Sequence, residues 1–86
     1  MDRDRVVNEL ESSLEATKST GKKMRLHYLL AKFCFALGSC DQALYHFYTS
    51  VDLLEYVGKN GLMGFRDFYR YRGKLEFLES FAETYY

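Results

Sequence analysis

Two histidines and two cysteines, His27, Cys34, Cys40 and His46, are the side chains of this 86-residue chain best suited to ligate a metal or act as nucleophiles. His27 and Cys34 lie seven residues apart, which places them on one face of a helix. Structural zinc sites, however, use close pairs such as Cys-x2-Cys to bring two ligands together on a turn, and the chain has no such pair. Neither cysteine lies in a recognisable catalytic motif, a small helical chain offers no deep, water-excluding pocket, and no glycine-rich phosphate loop is present. Ordinary packing is therefore expected of these four residues, with no metal, no cofactor and no enzymatic activity.

A second set places cations beside aromatic rings. Arg25, Tyr28, Lys32 and Phe35 follow one another at steps of three, four and three, a helix face distinct from that of His27, Leu30, Ala31 and Cys34. A shift of 37 residues lays Ser13-Leu14-Glu15 on Ser50-Val51-Asp52 and Gly21-Lys22 on Gly58-Lys59, and carries the first face onto Phe65, Tyr69 and Arg72. Together these seven residues predict a basic, aromatic strip suited to an acidic peptide or helix of another protein, with guanidinium and ammonium groups for carboxylates and rings for buried contact. The competing reading is a solvated helix face whose Lys and Arg stems lie along apolar surface. The run Arg66, Tyr69, Arg70, Tyr71, Arg72 and Lys74 has the cations and rings of a nucleic-acid patch, but Asp67 interrupts it and Glu76, Glu79 and Glu83 follow. Nucleic acid is not the expected partner.

The elements that must position these residues are helices. There is no proline, and glycines at 21, 38 and 58 to 64 divide the chain into segments of roughly 3–19, 22–37, 40–57 and 62–85, since glycine is favoured just past helix ends. Val6 or Val7, Leu10, Leu14 and Thr17 form one narrow stripe in the first. Met24, Leu26, Leu29, Leu30, Phe33, Cys34, Phe35 and Leu37 leave the second little polar surface, so it should be the central element with neighbours on more than one side. Ser39 with Gln42 predicts a reciprocal capping box at the start of the third, whose stripe is Ala43, Leu44, Phe47, Val51 and Leu54. The fourth carries Phe65, Phe68, Tyr71 or Arg72, Leu75, Leu78, Ala82 and Tyr85, and Gly73 in its middle predicts a close helix contact or a kink. No long run alternates with period two, so the expected fold is all-α, one helical domain over 1–86.

Hydrophobic residues at 48% and aromatics at 17% exclude disorder. Twelve basic residues balance twelve acidic ones, so no overall field draws the chain to nucleic acid or membrane, yet residues 21–32 carry +4, residues 64–74 carry +3 and residues 75–86 carry −3. The charged opening Met1-Asp2-Arg3-Asp4-Arg5 and the lack of a spanning apolar run predict neither signal peptide nor membrane anchor, and two cysteines suit a reducing, cytoplasmic setting.

Residues 24–57 resemble a tetratricopeptide repeat. Leu30-Ala31 match that family's Leu and small residue, Gly38 its turn, Ala43 its first small seat, Phe47 its aromatic and Ser50 its second small seat. His27 stands where the family often has Trp, Cys34 where it prefers Tyr, and Glu55 where many repeats end in Pro. The resemblance implies antiparallel helical hairpins in right-handed stacking, with 3–20 similar to the second helix of a preceding unit and 62–86 to a first helix extended into a cap. It also implies a protein-binding adaptor whose first helices line a groove. Tyr28 and Lys32 fall where chaperone-binding repeats carry their carboxylate clamp, which points away from chaperone tails. Residues 24–86 are also similar to the MIT domain, a three-helix binding module. Barely two repeats are present, so self-association or assembly into a larger complex is the alternative to peptide binding.

Overall fold

In the computed structural model, residues 2–85 are described, with the side chains of residues 4–84. The chain forms four helices, α1 (Asp2–Ala16), α2 (Thr20–Ala36), α3 (Cys40–Lys59) and α4 (Phe65–Tyr85), with no strand among the described residues. α2 packs against α3 most closely, then α1 and, lightly, α4, so it has neighbours on more than one side, as its nearly continuous apolar surface leads one to expect. The stripe of α1 is shallower, for Val6, Val7, Leu10 and Leu14 are all only half-buried.

The α2–α3 pair holds the centre of the core. Ala31, Ala43 and Ser50 are completely buried and Phe47 nearly so, which lets the two backbones approach while the Phe47 ring fills the space beside them. The Ser50 hydroxyl donates to the Met24 carbonyl at 2.9 Å, so the one fully buried hydroxyl of the interface is satisfied by the backbone of its neighbour. His27 meets His46 further on. Three steps forward along α2 thus correspond to four backward along α3, and the two helices run in opposite directions.

Two glycines terminate the central helices. At Gly38 the backbone turns left-handed with φ 79°, the Gly38 N–H reaches the Phe35 carbonyl at 3.1 Å, and the Ser39 N–H reaches Cys34 at 2.9 Å. Gly61, with φ 65°, repeats the arrangement through Gly58 and, from Leu62, Val57. Both are the paired carbonyl caps that glycine permits at a helix end.

The other boundaries correct the sequence reading. α1 ends at Ala16 rather than near 19, because Ser19 caps the next helix: its Oγ accepts from the Lys22 N–H at 3.3 Å. Gly21 therefore lies inside the first turn of α2, and Gly58 inside the last turn of α3. The capping box at Ser39 and Gln42 does not form. Ser19 has the extended backbone of a capping residue, ψ 121°, whereas Ser39, held in the turn that ends α2, sits at ψ 73° and makes no side-chain cap bond. α4 begins at Phe65, three residues later than expected, and runs unbroken through Gly73, which is exposed with open space where a Cβ would stand. The close approach belongs to Gly58, where a Cβ would strike the Phe68 ring.

Candidate functional site

α4 determines where the candidate residues meet. It is anchored by one stripe, with Leu75 and Leu78 buried and Phe68, Tyr71 and Ala82 packed against the core. A helix advances about 100° per residue, so Lys74, Phe77 and Phe81 flank this stripe on one side and Phe65, Tyr69, Arg72, Glu76 and Glu83 on the other. The first flank faces α2 and the second faces α3, as the contacts below establish.

On the α2 flank, Arg25 and Tyr28 meet Tyr71 and Lys74. The Tyr28 and Tyr71 rings stand edge to face with centroids 6.0 Å apart. The Arg25 guanidinium lies 5.6 Å from the centre of Tyr71, and the Lys74 ammonium 5.0 Å from Tyr71 and 5.9 Å from Tyr28. Two cations thus bracket two half-buried rings, a cation–π arrangement that keeps both charges at the surface. Burial, reinforced by Tyr71, pushes the Tyr28 hydroxyl above its ordinary range, so it remains a neutral donor. A cleft of about 720 Å³ at the α1–α2 turn continues this surface, lined by Lys18, Lys22 and Arg25 with Ser13, Ser19 and Leu26 and with no acidic residue. Lys32 is exposed on the same helix.

The remaining candidates lie elsewhere. Phe35, 3% exposed, belongs to the core and borders a recess with Leu44, Phe47 and Ala82. Phe65, 83% exposed, and Tyr69, 59% exposed, flank the glycine-rich α3–α4 turn beside Gly58, Gly61 and Gly64. Arg72 faces the α3 side and pairs with Glu76 at 3.3 Å. The seven residues therefore do not form one strip. The 37-residue shift assumed that α4 presents its residues as α2 does, but the inward stripe through Phe68, Tyr71 and Leu75 rotates Tyr71 and Lys74, not Phe65 and Tyr69, toward Tyr28. The signal was available: Tyr71 falls four residues before Leu75 and three after Phe68.

The histidines have a defined arrangement. His27, 7% exposed, places its Nδ1 2.9 Å from Nδ1 of His46, with Tyr45 edge-on to both rings. One Nδ1–H donates and the other Nδ1 accepts. Burial lowers the pKa of both; for His27 the neighbouring His46 and Lys23 lower it further, while for His46 Glu11 of α1 works in the opposite direction. Cys34 is buried, with its thiol pushed up by burial and by Glu11, and Cys40 is half-buried; both are free. Among the described residues, no three His, Cys, Asp or Glu side chains converge on a possible metal position. No described helix is long and apolar enough to cross a membrane.

The fold and surface define an all-α domain with a charged, aromatic face. Compared with known proteins, the chain matches no family model, no curated relative and no solved structure.

Proposed function

We propose that this chain is a non-enzymatic protein-interaction module of intracellular, reducing surroundings, an adaptor built on a tetratricopeptide-like hairpin that holds an acidic peptide or helix of another protein. The observation that carries the reading is the basic cleft of Lys18, Lys22 and Arg25 together with Lys74, which meets Arg25 across the Tyr28 and Tyr71 rings. The cations would pair with carboxylates and the exposed parts of the two rings would receive an apolar anchor. Free cysteines support the compartment.

Titration of the full chain with an acidic peptide bearing a leucine or aromatic anchor, followed by amide NMR, should shift Lys22, Arg25, Tyr28, Lys32, Tyr71 and Lys74. Replacing Lys22 and Arg25 by Glu should weaken binding by roughly tenfold or more, since each removes a charge-assisted contact. Shifts confined to other faces, or none, overturn the reading. Self-assembly is the second reading, favoured by Phe77, 75% exposed beside Lys74, and concentration-dependent sedimentation of the free chain would support it instead.

A further inference from the structure

The α3–α4 face has the opposite charge. Between the two helices a groove of about 360 Å³ has Phe47, Val51, Leu54, Phe68 and Leu75 as its floor. It shares Phe47 and Glu79 with a second recess of about 250 Å³, floored by Phe35, Leu44 and Ala82, so the two form one channel along α4. Its rim carries Glu55 from α3 and Glu76, Glu79 and Glu83 from α4, against a single cation, Arg72, already paired with Glu76. From Phe68 to Glu83 this channel runs about 22 Å, the length of some four helical turns.

We propose that this channel is a docking groove for a basic amphipathic helix of a partner protein. The proposal shares the view of the chain as an interaction module but concerns a different face and a partner of the opposite charge. An apolar floor bounded by glutamates matches a helix with leucine-like residues at i, i+3, i+4 and i+7 flanked by Lys or Arg. The steps of three and four between Glu76, Glu79 and Glu83 keep the carboxylates on one edge, where they meet a cationic flank and oppose an acidic one. Such a surface selects its partner by repulsion as much as by attraction.

The test uses the full chain and two designed 18-residue helical peptides with the same leucine face, one flanked by Lys and Arg, the other by Glu. The basic peptide should shift the amides of Val51, Leu54, Arg72, Glu76 and Glu79, and binding should fall by roughly tenfold or more in Glu79→Lys/Glu83→Lys, an exchange confined to exposed carboxylates that leaves the circular dichroism of the free chain unchanged. Glu79→Gln/Glu83→Gln should fall between wild type and reversal. Equal shifting of these groove amides by the acidic peptide, shifts there that are unaffected by charge reversal, or no shift there with the basic peptide overturns the proposal. So does concentration-dependent shifting of the same amides without peptide, which would assign the groove to a second copy of the chain. The acidic-peptide titration reads Tyr28 and Lys74 on the other flank of α4, so the two readings fail separately.

Discussion

At the scale of single residues, the histidine pair makes the α2–α3 interface sensitive to pH. The Nδ1 to Nδ1 bond at 2.9 Å survives one imidazolium, which donates to its neutral neighbour, but not two, because two N–H groups would then face each other. Both pKa values lie below the ordinary 6.5 in the folded chain, so below pH 6.5 the unfolded chain binds more protons and stability must fall with pH. Stability is therefore full above about pH 6.5 and declines as the pH drops toward the folded values; once both states are protonated the loss is complete and levels off. Glu11 moderates the effect through His46, and Lys23 adds to it through His27. The thermal midpoint should fall from pH 7.5 to pH 5, and His46→Gln should flatten that fall. A midpoint independent of pH in the parent chain, or an equally steep fall in the variant, would show that the pair does not carry the dependence.

Among elements, the glycines separate turn, contact and empty space. Gly38 and Gly61 are needed for positive φ, while Gly58 and Gly73 are both helical and differ only in what surrounds them. Gly73→Ala places its methyl in open space and should gain about 0.5–1 kcal/mol from helix propensity. Gly58→Ala makes the same propensity gain but drives its methyl into the Phe68 ring, 2.8 Å from Cδ2, and overpacking of this kind costs about 1–3 kcal/mol. Opposite signs in urea unfolding are expected, and a gain at both positions would mean that Phe68 swings away freely. The turns were legible because a left-handed residue has few alternatives to glycine, and the resemblance to a tetratricopeptide repeat pointed to Ala31, Ala43 and Ser50 as small seats that admit a close neighbour, with Phe47 as the aromatic beside them. It did not reveal which function each helical glycine served, since that depends on Phe68 arriving from another helix. Ser39 misled for a related reason: the residue that should start α3 is also fixed by the end of α2, and its backbone follows the turn. Arg25 and Tyr28 share one face of α2, but the α4 residues that meet them follow from the rotation of that helix, which its own apolar stripe sets and no internal shift can supply.

Across the whole molecule, burial is graded and charge is divided. α2 and α3 share the deepest contacts, whereas no described side chain of α1 is fully buried and α4 is held by one stripe. Local opening should follow that order, because the free energy of opening tracks the apolar contacts broken. In native-state hydrogen exchange the amides of α1 should exchange first, α4 next, and Leu30, Ala31, Phe47 and Ser50 only with global unfolding. α4 also separates the basic α2 surface from the acidic α3 groove, so a ligand on either flank stabilises the docked helix over its opened form. At a free concentration one hundred times its Kd, such a ligand adds about 2.7 kcal/mol and should slow exchange in α4 by roughly a hundredfold. α1 should respond only to the acidic peptide, because Ser13, near the end of α1, and Lys18, in the turn after it, line the basic cleft and not the groove. Equal protection of α1 by both peptides would mean that the four helices open as a single unit, and the division of the surface into two independent faces would then fail.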